Sequence, residues 1–204
     1  MTFGLVKHNN NSKSAITSSG QLAQGKMTLL QTQTASSSAS ISFTSNIDSK
    51  YPIYLFKFIN IHPATDGAEF TINFSTDSGS NYNVAKTTTF FVAYNAESES
   101  SSGLTYIDSL DIAQGTGVAN IFYNVGNEND ESASGTLHLF NPSSTTFVKH
   151  FMAVTQDYNA NDHSLSWHTA GYINTTTAIT RVRFKFESGN MDSGTIKLYG
   201  LKDS

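Results

Sequence analysis

The chain reads as an all-β protein: an antiparallel β-sandwich, jelly-roll-like, in a single domain with a polar N-terminal arm. Three observations predict it. Apolar residues recur with period two along most of the chain, and no segment carries an amphipathic helical stripe of any length. Clusters of Ser, Asp, Asn and Gly punctuate the apolar runs, as hairpin connections do. A short phrase is also written twice, Ser-Gly-Thr-Leu-His-Leu-Phe at 134–140 and Ser-Gly-Thr-Ile-Lys-Leu-Tyr at 193–199.

Taken in order, residues 1–25 are polar and rich in Asn and Ser, and predict an arm that is flexible or ordered on a neighbouring subunit. The sandwich then spans 26–204. Residues 32–40 are of low complexity but run straight into an alternating strand with Ala39, Ile41 and Phe43 on one face. The stretch 51–61, "YPIYLFKFINI", is apolar on both faces, the mark of a central strand covered on both sides. "EFTINFS" sets Phe70, Ile72 and Phe74 inward, and "RVRFKFE" does so with Val182, Phe184 and Phe186. Residues 90–94, 118–125 and 147–154 read as further strands, about ten in all.

Residues 75–81 and 187–194 are turn clusters, whereas 95–103 and 126–135 are longer acidic loops. Pro52 opens a strand, and Pro63 and Pro142 sit at strand ends, where a missing N–H does least harm. In the duplicated phrase, Ser-Gly reads as a turn, with Gly135 or Gly194 taking a conformation a Cβ would resist. Leu137 and Leu139, and likewise Ile196 and Leu198, then face inward. This predicts two similar strands in equivalent positions of the two halves of the sandwich.

Composition bounds the function. At 204 residues the chain fits one sandwich, and 14 Phe with 9 Tyr supply the core. Each buried Phe stabilises by roughly 1.5–3 kcal/mol. Without Cys there are no disulfides and no thiolate-ligated zinc. Twelve basic residues against 16 acidic ones give a net charge of −4 with no basic cluster, which argues against nucleic acid or an anionic membrane as partner. The first residues lack an apolar core segment, so no signal peptide is expected, and no run is long enough for a membrane helix. Charged residues make up 14%, against about 25% in ordinary domains. So neutral and hydroxyl-rich a surface suits close packing in an assembly.

Few constellations could carry chemistry. His150, His163 and His168 lie near Asp157 and Asp162, but His163 and His168 are five apart and fall on opposite faces of a strand, so no metal site is predicted. "DYNANDH" spaces Asp157, Asn159 and Asn161 like the start of a calcium loop. Asp162 stands where glycine is needed and His168 where Glu is needed, which leaves only a looser calcium site open. Glu128, Asp130 and Glu131 read as a solvated acidic loop. There is no nucleophile elbow and no phosphate-cradling glycine loop, and most of the acids fall in exposed turns where nothing raises a pKa. No catalytic residue and no cofactor are predicted. Tyr158, Asn161, Trp167 and Tyr172 fall near one predicted loop, and together predict a glycan or receptor contact built on exposed aromatics. The competing reading packs Trp167 and Tyr172 beneath that loop or against another subunit.

The blocks "TQTASSSASISFTS", "YLFKFINIHPATDGAEFTINFSTDSGSNYN", "SGTLHLFNPSSTTFVKHF", "NTTTAI" and "FESGNMDSGTIKLYGLK" occur in this order. In this they resemble a family of virion proteins widespread in marine bacteriophages and often labelled tail-fibre or structural proteins. The resemblance runs over about residues 27–202. It implies a non-enzymatic protein on the particle surface and carries no catalytic residues over. In many members the block ends a longer fibre; here only about 25 residues precede it, which brings capsid decoration or cement in beside tail-fibre-type host attachment. By analogy the expected partners are further copies of the chain as a homotrimer, other capsid or tail proteins, and possible host-surface glycans. The expected location is the virion. A lectin-like carbohydrate-binding sandwich is the alternative.

Overall fold

The computed structural model describes residues 27–202, so the predicted arm at 1–25 lies outside the described residues. Twelve antiparallel strands form one continuous hydrogen-bonded system. They are β1 (Met27–Thr34), β2 (Ile41–Phe43), β3 (Ile53–Pro63) and β4 (Ala68–Ser75), then β5 (Lys86–Ala96) and β6 (Ser102–Tyr106). After a single 3-10 turn at Asp108–Leu110 come β7 (Ala119–Val125), β8 (Ala133–Phe140) and β9 (Lys149–Asn159). The last three are β10 (His163–Ile173), β11 (Arg181–Phe186) and β12 (Met191–Leu201). The all-β antiparallel class expected from the alternation is what the chain adopts.

Hydrogen bonding runs in the order β1-β12-β3-β8-β9-β10-β5-β6 through one wide sheet. A narrow sheet, β7-β4-β11-β2, lies over it and joins it through one residue pair, Val125 with Asn159. On the opposite flank a bridge between Ser38 and Met191 ties the approach to β2 back onto β12, so the system nearly closes on itself like a barrel. β1 and β6 remain as edges of the wide sheet, each paired on one side only.

The interior between the layers is largely phenylalanine. Phe56 and Phe58 of β3 meet Phe184 of β11 at 5.2 Å between ring centroids in each case, edge to face. Phe58 also reaches Phe70 and Phe122, at 5.6 and 5.7 Å. The ring quadrupole favours these tilted contacts, each worth about 0.5–1.5 kcal/mol beyond area burial. Along most of its length β7 has no strand on the β9 side. Two threonine hydroxyls answer for its carbonyls instead: Thr155 Oγ1 donates to Ile121 O and Thr169 Oγ1 to Asn120 O, both at 2.9 Å. Buried carbonyls without such partners would each cost about 1–3 kcal/mol.

Three sequence expectations change. Residues 163–173, placed near a predicted loop and not among the strands read from the alternation, form β10, paired on both sides with β9 and β5 over its whole length. The residue types explain the miss: "HSLSWHTAGY" mixes small, polar and aromatic side chains, and its alternation is visible only once Leu165, Trp167 and Thr169 are seen to be the buried set. The duplicated phrase does build two similar strands, but they are β8 and β12, neighbours of β3 on its two sides in the same sheet. Its glycines lie inside strands rather than in turns. A Cβ on Gly135 would sit 2.6 Å from Thr155 Cα, and one on Gly194, at a bulge with φ +122, would sit 2.7 Å from Asn60 O. Both positions need glycine because backbone passes too close for a side chain.

Candidate functional site

Four charged-type side chains are buried among the described residues; Glu131, expected in a solvated loop, folds back to accept from the Glu128 N–H at 2.6 Å, and three others point into the interior. Lys86, fully buried, donates to Val84 O at 3.1 Å and to Gly117 O. Lys149, equally buried, donates to Thr175 O at 2.9 Å and Thr177 O at 2.7 Å. Burial pushes Lys86 down to about 8 and lowers Lys149 as well. Each ammonium gathers the carbonyls of a connecting loop, a role Asn73 shares by donating to Thr116 O and Gly117 O. These are internal clamps on the chain, each ammonium spent on backbone carbonyls.

Asp157 is the third. It is buried on β9, accepts a short hydrogen bond from Trp167 Nε1, and leaves Oδ2 without a partner. Burial, only partly opposed by the indole N–H, pushes its pKa up to about 8, so the carboxyl is neutral at pH 7. Asp157 is thus an exception to the expectation that most of the acids lie in exposed turns where nothing raises a pKa. The perturbed group nevertheless faces packed side chains, and a lone carboxyl lacks the second carboxylate that glycoside hydrolysis requires.

The four predicted contact residues are not brought together. Trp167 is 3% exposed, stacked on Phe90 at 4.8 Å with Tyr123 edge-on at 5.9 Å. It is a core residue and cannot present a sugar platform, so the competing packed reading is the correct one for this side chain. Tyr158 and Asn161 belong to the β9–β10 hairpin end, where Tyr158 OH donates to Asp162 Oδ1 at 3.0 Å and the phenol is pushed up to about 12. Tyr172 lies at the far end of β10, its hydroxyl accepting from Gln114 Nε2 at 2.6 Å.

The calcium-like spacing resolves as turn chemistry. Asn159 Oδ1 accepts from the backbone N–H of Asn161 and His163 at 3.1 and 3.0 Å, and Asp162 takes φ +58. That is a three-residue hairpin loop closed by a left-handed residue. Among the described residues no group of three or more His, Cys, Asp or Glu could hold a metal ion.

What stands out is the outer face of the wide sheet. On β6, β5, β10, β9 and β8 the outward positions carry no Asp, Glu, Lys or Arg. One cross-strand row reads Tyr106, Phe91, His168, Val154, Thr136, and the next Thr89, Ala170, Met152, His138. Exposure is high for the apolar members: 72% for Leu104, 69% for Phe147, 53% for Met152 and 49% for Val154.

The face is also uneven. A hollow of about 440 Å³ opens where Ala170 and Gly171 sit between Tyr172, His150 and Met152. A second, of about 380 Å³, lies beside Phe140 and Phe147, and a shallower one of about 130 Å³ beside Phe91 and His168. Phe91 and His168 stack at 4.7 Å.

No family model, curated protein or solved structure matches the chain. The surface therefore has to be read from its own chemistry. An outward sheet face normally alternates to polar and charged residues, and this one does not. The sequence did hold a signal for it. Residues 132–148 and 163–180 contain no charged residue at all, two long uncharged runs that the topology sets on β8 and β10, either side of β9.

Proposed function

We propose that the chain is a non-enzymatic structural protein of a bacteriophage particle, exposed on the particle surface as capsid decoration or as a tail-fibre-type host-attachment module. The observation that carries this reading is the run of phrases over about residues 27–202 that resembles marine phage virion proteins. The sheet face supports it: a broad uncharged surface of aromatic, aliphatic and hydroxyl side chains is suited to lasting protein contact. The outward positions of these five strands carry no carboxylate. Function then comes from repetition, since contacts made many times over a particle gain avidity that a single weak contact lacks. The lectin-like alternative loses its central aromatic, because Trp167 lies in the core.

Antibody–gold labelling of intact particles of a phage that encodes this chain tests the proposal. Gold spread over the shell assigns a decoration or cement role. Gold confined to the tail assigns host attachment. Particles that stay unlabelled while the free protein is labelled overturn the virion reading.

A further inference from the structure

We infer that the outer face of β6, β5, β10, β9 and β8 is a homo-oligomeric interface, occupied by a second copy of this chain. The inference rests on the reading of the chain as an assembling structural protein and names the surface through which it assembles.

Size comes first. Five strands at about 4.8 Å spacing and four outward rows at about 6.8 Å make a face of about 24 by 27 Å, roughly 650 Å² in projection. Side-chain relief and the neighbouring Phe147 raise its accessible area toward the roughly 800 Å² per partner that a stable interface buries. Monomers rarely expose contiguous apolar patches beyond a few hundred Å².

Charge is the second argument. A face without fixed charge has nothing with which to orient a basic or acidic partner, nor to bind an anionic surface, and charge depletion marks the core of lasting self-association interfaces. The fixed charges on the outer face of the wide sheet begin only at β3 and β12, with Lys57 directly opposite Lys197. That lysine pair sets the limit of the patch, because a covering copy would bury like charges there.

Relief is the third argument, for the face carries both halves of a fit. Leu104 and Phe147 stand out from it, and the Ala170 hollow of about 440 Å³ accepts a side chain of their size. A leucine or phenylalanine sealed into such a hollow leaves water entirely, and each copy supplies one such site.

Light scattering on a sizing column and sedimentation equilibrium of the full chain, from about 1 to about 100 µM, give the test. The expected mass is a multiple of 22.1 kDa, with three copies the state expected by analogy with phage fibres. Met152→Glu with Val154→Glu places two carboxylates at the centre of the face and shifts the mass to one copy, with circular dichroism unchanged. Asn83→Glu, exposed between β4 and β5, leaves the mass as in the wild type. Should the double variant misfold, Leu104→Ser with Phe147→Ser removes the two projecting side chains and gives the same readout.

A wild-type chain of one copy at 100 µM overturns the inference, as does an oligomer that survives both pairs of substitutions. A single-copy protein that still labels particles would sink the interface and leave the virion reading standing. A stable oligomer that labels no particle would do the reverse.

Discussion

Asp157 and Lys86 make the interior sensitive to pH in opposite directions. The folded pKa of Asp157 is raised to about 8 from an unfolded value near 3.9, so the native state holds the extra proton in between. Stability from this group is full below about pH 4 and falls as pH rises to 8, by at most about 1.4 kcal/mol per pH unit. Lys86 is depressed to about 8 from about 10.4, so the native state releases its proton first and stability rises between those values. The pair together sets a stability minimum near pH 8, readable from urea unfolding between pH 5 and 10. Asp157→Asn flattens the lower limb and leaves the upper one. Trp167, the one tryptophan of the chain, reports the same event: its emission titrates near pH 8 in the wild type and not in Asp157→Asn. A wild-type profile flat from pH 5 to 8 refutes the assignment.

Tyr54 shows a quieter dependence at the same scale. Its hydroxyl donates to Asp48 O at 2.9 Å and accepts from Asp48 N at 3.0 Å, locking the β2–β3 loop onto the core. Burial first, with the Asp48 carboxylate adding to it, pushes the phenol up to about 12. Tyr54→Phe therefore lowers stability by about 0.5–1.5 kcal/mol, the net contribution of a hydrogen bond whose partner, the exposed Asp48, can turn to water.

Between elements, the decisive quantity is the distance at which backbones pass. The β8–β9 ladder runs beside Gly135, where an added Cβ would meet Thr155 Cα at 2.6 Å and Val154 O at 2.7 Å. Neither atom can swing aside as a side-chain tip could. Gly135→Ala is expected to cost about 1–3 kcal/mol by overpacking, seen as a lowered denaturation midpoint at constant slope. Gly117→Ala meets nothing within 4 Å and stays within about 0.5 kcal/mol of wild type. Equal losses at the two sites would show that intrinsic glycine effects, and not the β8–β9 approach, govern stability.

At the scale of the molecule the two sheets are held by rings from both layers. Phe184 touches Phe43, Phe56, Phe58 and Phe70, so it joins β2, β3, β4 and β11. Phe184→Ala is expected to cost about 3–5 kcal/mol in chemical denaturation, with the cavity adding to the lost transfer energy. Covering the outer face with a second copy links stability to concentration. The midpoint of thermal unfolding then rises with protein concentration in the wild type, but not in Met152→Glu with Val154→Glu.

The sequence by itself determined the class of the fold. Alternation is a local property, written between neighbours two residues apart, and it placed Phe70, Ile72 and Phe74 or Val182, Phe184 and Phe186 in the core without reference to anything distant. Turn chemistry at 75–81 was legible for the same reason: Ser75, Asp77 and Asn81 bond among themselves. Only the tertiary structure decided which strand lies beside which. Pairing of β8 and β12 with β3 depends on contacts far apart in the chain, which no periodicity records. It also decided that Trp167 lies inside while Met152 and Val154 lie outside. All three are apolar and would be buried by composition alone. Which side of a strand faces the second layer is set by register, and a shift of one residue would reverse it. The uncharged face is thus spelled out in the residues, but it becomes a surface only when five strands are laid side by side.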